Sequence, residues 1–120
     1  MPGQVFVVDD DPGLLRVARV LLEQDGFQVQ PFASAGDALA NLSDPSVPNP
    51  AAILLDLNMP DMDGREFYRR AREAGYTDPV LILSAYGAHA AREELGAEAA
   101  VPKPFDPAEL SSALRTILPG

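Results

Sequence analysis

Short apolar runs alternate along the sequence with longer segments in which apolar residues recur every three or four positions. A short run fits a buried strand, whereas the longer spacing is that of a helix with one apolar face. Strands and helices that alternate in this way form a parallel sheet covered by helices on both faces. We therefore predict an α/β fold, a doubly wound (βα)5 domain with a five-stranded parallel sheet. The predicted strands lie at residues 5–8, 27–32, 51–55, 80–83 and 99–102.

Capping residues mark the starts of predicted helices. Asp11 precedes Pro12 and Asp106 precedes Pro107, the usual order of an N-cap residue and the first helical residue. Capping explains Asp11 without any further role. Pro31 cannot donate a ladder hydrogen bond, so the second strand is predicted at an edge of the sheet. The predicted helices lie near residues 12–25, 35–42, 65–74, 89–95 and 107–118, and the proline-rich stretch 43–50 is interpreted as a surface loop.

Size and composition narrow the class of protein. The 120 residues are fewer than those of an average domain, so we expect one domain over residues 1–120. A net charge of -9 repels nucleic acid and anionic lipid, and direct binding of either is not expected. The absence of cysteine excludes disulfides and thiolate zinc sites. No apolar stretch approaches the roughly 20 residues of a membrane span. We therefore predict a cytoplasmic domain.

Polar side chains stand at the ends of four predicted strands. Asp9 and Asp10 follow the first strand, and Asp56 follows the third. Ser84 follows the fourth strand, and Lys103 follows the fifth. Taken singly, each has an ordinary interpretation as a capping, turn or solvated residue. Because the carboxyl ends of parallel strands meet at one edge of a sheet, we expect these five side chains to lie close together.

The three aspartates of this group would repel one another. Carboxylates about 5 Å apart repel by roughly 3 kcal/mol per pair at an effective dielectric constant of about 20. Three such pairs give roughly 10 kcal/mol, which is comparable to the stability of a small domain. Either one carboxyl group is therefore protonated, or a hard divalent cation holds the cluster together. We favour Mg²⁺, with ligands from Asp10, from Asp56, from Asp9 through a water molecule, and from the backbone carbonyl of Asn58.

A carboxylate beside Mg²⁺, with a lysine and a hydroxyl group facing the same point, can receive a phosphoryl group as an acyl phosphate. Asp56 would be the nucleophile. Lys103 would neutralise one phosphoryl oxygen, and the hydroxyl group of Ser84 would donate a hydrogen bond to another. Positioning and charge neutralisation carry most of the rate of such a transfer.

Other metal and phosphate motifs fit poorly. A calcium loop of the EF-hand type that begins at Asp56 would have Pro60 at its fifth position and Phe67 at its twelfth. No glycine-rich phosphate loop follows the first strand. Two other functions stay open at this stage. A Mg²⁺-dependent phosphatase would need an acid where Asn58 stands, and a binding module would signal without phosphorylation.

Four segments carry a resemblance to a known family. In their order and spacing, VVDDDP, LLDLNMPDMDG, ILSA and KPF resemble a response-regulator receiver domain of the CheY-like type over nearly the whole chain. The resemblance implies a flavodoxin-like fold and a two-component phosphorelay, in which Asp56 accepts a phosphoryl group from a histidine kinase or a histidine phosphotransfer protein. It implies that the chain catalyses only its own phosphorylation and dephosphorylation, as a monomer or a phosphorylation-dependent dimer. It also implies a cis bond between Lys103 and Pro104 and a tight turn at Gly64.

One position departs from the family pattern. Family members usually carry an aromatic residue three positions before the lysine, where this chain has Ala100. With the aromatic switch missing, Ser84 would signal through the backbone of the loop that follows it or through Tyr86. Tyr86 is equally well interpreted as an exposed loop residue. If its ring shields the acyl phosphate from water, the phosphorylated wild-type protein will have a longer lifetime than the phosphorylated Tyr86→Ala variant.

A few neighbouring positions keep two interpretations. Pro104 and Phe105 either dock the phosphodonor together with the exposed part of the first helix, or Phe105 packs in the core. His89 is expected on an exposed helix, and we expect it to be neither a phosphodonor nor a ligand. The sequence leaves open whether the chain acts alone or belongs to a longer protein.

Overall fold

The computed structural model describes residues 3–118. Along the chain the elements are β1 (Gln4–Val8), α1 (Pro12–Gln24), β2 (Gln28–Phe32), α2 (Ala35–Ser43), β3 (Ala52–Asp56), α3 (Gly64–Glu73), β4 (Val80–Ser84), α4 (Ala88–Leu95), β5 (Ala99–Pro102) and α5 (Pro107–Ile117). The strands form one sheet in the order β2-β1-β3-β4-β5, and each neighbouring pair is parallel. The predicted doubly wound α/β fold is therefore confirmed.

The sheet separates two apolar cores. Successive residues of a strand point to opposite faces, so each strand contributes to both cores. On one face, Phe6 and Ile53 belong to a buried cluster with residues of α2, α3 and α4. On the other face, Val7 and Leu54 belong to a cluster with residues of α1 and α5. The central strands β3 and β4 are buried along their whole length, which fixes the positions of their carboxyl ends.

The edge strand and the helix starts agree with the sequence pattern. β2 lies at the edge of the sheet, where Pro31 pairs in register with Val7. An edge strand accommodates proline because one of its sides needs no ladder hydrogen bonds. At the start of α1, the Asp11 carboxylate accepts a hydrogen bond of 2.9 Å from the Gly13 amide. Asp106 is the N-cap residue of α5, as predicted.

The sequence pattern ends the third and fourth strands one residue too early. Asp56 still pairs with Leu83 in the ladder between β3 and β4. Ser84 likewise pairs with Pro102 in the ladder between β4 and β5. The two polar residues therefore belong to the strands, whose neighbours hold their backbones in place. Among residues 3–118, no helix combines the length and the apolar character needed to cross a bilayer.

Candidate functional site

The predicted polar residues do converge at the carboxyl edge of the sheet. Asp9 follows β1, Asp56 ends β3, Ser84 ends β4, and Lys103 follows β5. The strand order makes these four strands consecutive neighbours in the sheet. Asp9 is anchored further because its amide donates a hydrogen bond of 3.0 Å to the Phe32 carbonyl of β2. The side chains thus stand on a rigid edge, which favours a site with fixed geometry.

Three carboxylates form a compact acidic cluster. One oxygen from each of Asp9, Asp10 and Asp56 lies within 4.8 Å of the others. Asp9 and Asp56 are buried, whereas Asp10 is exposed. Such an all-oxygen group with one open side fits a hard cation that keeps part of its water shell, as Mg²⁺ does. The donor set therefore fits the predicted metal.

Lys103 supplies the positive charge beside this cluster. Its Nζ lies 2.7 Å from Asp9 Oδ2 and 3.6 Å from Asp56 Oδ1. The Lys103 amide donates a hydrogen bond of 2.8 Å to the Ser84 carbonyl, which fixes its backbone against β4. The bond between Lys103 and Pro104 is cis, as the resemblance implied. The lysine thus contacts two carboxylates at once.

The buried carboxyl group of Asp9 has an altered affinity for its proton. Burial raises the pKa of Asp9 above its usual value of 3.8, against the lowering effect of hydrogen bonds from Lys103 and the Asp11 amide. Because the folded state holds this proton more tightly, the stability that Asp9 contributes is complete below pH 3.8 and is lost as the pH rises through the folded pKa. At neutral pH, burial of the charged form of Asp9 thus costs stability that a bound cation would offset.

Ser84 is held by the loop that follows it. Its hydroxyl group donates a hydrogen bond of 2.7 Å to the Tyr86 carbonyl, and the Tyr86 amide lies 3.3 Å from the same oxygen. The Asn58 side-chain amide lies 3.5 Å from Ser84 Oγ, and the Asn58 backbone amide donates to Asp56 Oδ1 at 3.2 Å. Asn58 therefore connects the strand end of β3 with that of β4.

The loop between β3 and α3 closes over Asp56 by a tight backbone approach. The Gly64 amide donates a hydrogen bond of 2.9 Å to the Leu57 carbonyl. A Cβ atom added at Gly64 would lie 2.5 Å from Leu57 Cα and 2.9 Å from the Asp56 carbonyl oxygen. The expected tight turn is present, but glycine is needed there for space, because its φ angle is not positive. An open hollow of about 390 Å³ lies beside the loop and is lined by Asp10, Leu57, Asn58, Met59, Pro60 and Asp63.

The remaining predicted positions lie around the site. Tyr86 is 87% exposed. Ala100 is partly buried against the cluster under α2, α3 and α4, and Phe105 packs partly against the other cluster. His89 is exposed and lines a groove of about 510 Å³ with residues of β5 and α5, among them Ala100. Phe105 is therefore at least partly a core residue.

One contact near the site was missed by the sequence analysis. The Asp61 carboxylate accepts hydrogen bonds from Ser34, Ala35 and Gly36 at the start of α2. The partners are 25 to 27 residues apart, so the contact depends on tertiary structure. An acidic residue in a polar loop gives no signal of such a partner, because it equally well faces solvent.

The geometry of the acidic cluster predicts that Mg²⁺ changes the pH at which Asp9 loses its proton. We expect the side-chain carboxyl carbon of Asp9 to titrate above pH 3.8 in the metal-free protein and at lower pH when Mg²⁺ is present. The reason is that the metal binds the deprotonated carboxylate and displaces the proton. Carbon-13 NMR of aspartate carboxyl groups measures both midpoints.

Asp44 provides the matched control for this titration. Hydrogen bonds from Ser46 lower the pKa of Asp44. Because Asp44 is remote from the acidic cluster in the sequence, its titration midpoint should not respond to Mg²⁺. An Asp9 midpoint at or below pH 3.8 without metal would contradict the electrostatic description of the site.

Among curated proteins, this chain is similar to regulatory proteins from bacteria. It is 36% identical over 119 residues to the transcriptional regulatory protein CpxR of Escherichia coli (strain K12), covering 97% of this chain and 49% of CpxR. It is 32% identical over 120 residues to the transcriptional regulatory protein TrcR of Mycobacterium tuberculosis, covering 98% of this chain and 46% of TrcR. The chain thus spans about half the length of the curated relatives it matches.

Solved structures and a family model agree with this placement. The fold superposes on the chemotaxis response regulator CheY4 of Vibrio cholerae with a TM-score of 0.85, at 28% identity, covering 98% of this chain and all of that one. The BeF3-activated DrrB receiver domain gives a TM-score of 0.83 at 27% identity, covering 98% of this chain and 97% of that one. Residues 5–115 match the model of the response regulator receiver domain. The chain therefore belongs to the response regulator receiver domains, the CheY-like signalling modules of two-component systems.

Proposed function

We propose that this domain, over residues 1–120, receives a phosphoryl group on Asp56 in a Mg²⁺-dependent reaction. The donor is a phosphohistidine on a histidine kinase or a histidine phosphotransfer protein. The observation that carries the proposal is the environment of Asp56, which has two further carboxylates within 4.8 Å and the Lys103 ammonium 3.6 Å from its Oδ1. A carboxylate in this setting can be both a metal ligand and a nucleophile.

Each residue has a defined part in the transfer. A carboxylate oxygen of Asp56 forms the new O–P bond while the N–P bond of the phosphohistidine breaks, and the electron pair of that bond stays on the imidazole nitrogen. Lys103 neutralises charge on a phosphoryl oxygen. Asp10, Asp56, the Asn58 carbonyl and, through a water molecule, Asp9 would hold Mg²⁺, which would supply positive charge against the phosphoryl group. The chain acts only on its own acyl phosphate, so we do not propose an enzyme with other substrates.

Ser84 connects the phosphoryl site with the loop between β4 and α4. In this structure its hydroxyl group donates to the Tyr86 carbonyl at 2.7 Å. A phosphoryl oxygen on Asp56 would compete for this hydrogen, because an anionic acceptor makes the stronger bond. When Ser84 turns toward the phosphoryl group, the Tyr86 carbonyl loses its donor and the loop is free to shift. With Ala100 in the usual aromatic position, this loop shift is the proposed signal.

The proposed partners follow from the exposed surfaces and the family. Val17 is 46% exposed and Val20 is 51% exposed on α1, and Pro104 is exposed beside the site. We propose that this apolar surface docks the phosphodonor protein. A monomer, or a dimer that forms on phosphorylation, is the proposed assembly, and the cytoplasm is the proposed location. No direct contact with nucleic acid or membrane is proposed for this acidic domain.

Intact-mass spectrometry with acetyl phosphate tests the proposed function. Wild-type protein with Mg²⁺ should gain the mass of one phosphoryl group, whereas protein with EDTA and the Asp56→Asn variant should not. Lys103→Met should lower the initial rate roughly tenfold to 100-fold, because it removes a charge that stabilises the transferring group. An adduct on Asp56→Asn would place the acceptor elsewhere. The absence of any adduct on wild type would favour a module that signals without phosphorylation.

The lifetime of the phosphorylated protein tests the part played by Tyr86. The Tyr86→Ala variant should lose its phosphoryl group faster than wild type if the ring shields the acyl phosphate from water. Tyr86→Phe keeps the ring and serves as the control, with a decay rate close to that of wild type. Decay followed by mass after removal of the donor measures all three rates. Equal rates for wild type and Tyr86→Ala would refute shielding.

A further inference from the structure

Asp61 connects the loop between β3 and α3, which lies beside Asp56, to the start of helix α2, which is distant in the sequence. Its Oδ2 accepts hydrogen bonds from Ser34 Oγ at 2.9 Å and from the Gly36 amide at 3.0 Å. Its Oδ1 accepts from the Ala35 amide at 3.2 Å. One carboxylate thus receives three hydrogen bonds from the start of α2, where free amides and the helix dipole favour negative charge.

Helix α2 already has a cap of its own. Ser34 Oγ accepts a hydrogen bond from the Asp37 amide at 3.3 Å, as an ordinary N-cap residue does. Asp61 therefore adds a second anchor that comes from another part of the chain. The hydrogen bonds lower the pKa of Asp61, with the Gly36 amide as the largest cause. The carboxylate is therefore charged at neutral pH, and its hydrogen bonds to α2 are stronger than those of a neutral carboxyl group.

The same loop carries groups of the candidate site. Asn58 lies three residues before Asp61, and its amide donates to Asp56 Oδ1 at 3.2 Å. The side chain of Met59 is buried in the core, and the Gly64 amide closes the loop on the Leu57 carbonyl at 2.9 Å. The loop is therefore fixed near its two ends by β3 and α3, and Asp61 fixes its middle to α2.

We propose that Asp61 is a positioning residue that holds this loop over Asp56 by fastening it to α2. The proposal rests on the proposed function, in which the Asn58 carbonyl is a ligand of Mg²⁺. With the loop fastened, the Asn58 carbonyl is pre-organised, and the metal binds without ordering the loop. Without the fastening, part of the binding free energy is spent on ordering, and the affinity for Mg²⁺ falls.

Metal titration and amide hydrogen exchange test this role. We expect Asp61→Ala to weaken Mg²⁺ binding about fivefold to tenfold, measured by NMR titration. This is less than the roughly tenfold to 100-fold of residues that contact a metal ligand directly, because Asp61 acts through the loop. In the metal-free protein, the Gly64 amide should exchange about fivefold faster than in wild type, since its loop opens more often. Asp61→Asn keeps one acceptor oxygen and should lie between the two proteins in both measurements.

Two control variants separate positioning from helix stability. Asp37→Ala removes the acidic side chain from the first turn of α2, where it favours the helix, and leaves the three groups that bind Asp61 unchanged. Gly36→Ala adds a Cβ 3.5 Å from Asp61 Oδ2, an ordinary contact that leaves the anchor intact. Both variants should bind Mg²⁺ within about twofold of wild type, a change of roughly 0.4 kcal/mol. If Asp37→Ala weakens binding as much as Asp61→Ala, the effect is one of helix stability and the proposal is wrong.

The experiments distinguish a failure of the positioning role of Asp61 from a failure of the proposed function. If wild type binds Mg²⁺ and Asp61→Ala matches it in both metal affinity and hydrogen exchange, the positioning role is overturned. If wild type binds no Mg²⁺, the metal-dependent function is overturned. The exchange rate of Gly64 in the metal-free protein then still decides whether Asp61 anchors the loop.

Discussion

Repulsion between the buried carboxylates of Asp9 and Asp56, with Asp10 beside them, is the constraint on which this site depends. Asp9 and Asp56 extend from β1 and β3, which are neighbouring strands buried in the sheet. With one oxygen of each within 4.8 Å of the others, two such carboxylates repel by about 3 kcal/mol at an effective dielectric constant of about 20. Lys103 contributes one positive charge against three negative charges, which leaves a formal charge of -2. That remainder matches the charge of a divalent cation, so the site favours such a metal.

Hydrogen bonds connect the acidic cluster with the loops that follow β3 and β4. The site lies where the loops after β3 and β4 meet, and Asn58 spans both through its contacts with Asp56 and Ser84. Ser84 binds the Tyr86 backbone and Asp61 binds α2, so each loop is held by few hydrogen bonds beside a rigid sheet. In the proposed function, a change of charge at Asp56 would therefore act on both loops through these hydrogen bonds.

The sequence was sufficient to predict the fold and the convergence of polar residues at the carboxyl edge of the sheet. Apolar runs define buried strands, and parallel strands bring their carboxyl ends together, so the convergence of Asp9, Asp56 and Lys103 follows from topology alone. The contacts between individual side chains could not be predicted from the topology. The 2.7 Å contact of Lys103 with Asp9, the anchor formed by Asp61 and the steric need for Gly64 depend on tertiary distances. No periodicity or local propensity encodes such distances.

Fluorine-19 NMR with beryllofluoride tests the central claim most directly, because this anion mimics a phosphoryl group bound to a carboxylate. If Asp56, Lys103 and a divalent cation form one phosphoryl-binding site, bound fluorine signals will appear for wild type with Mg²⁺. These signals will be absent with EDTA and in the Asp56→Asn variant. Bound signals that persist without Mg²⁺ or without the Asp56 carboxylate, or wild type that shows none, would contradict the account.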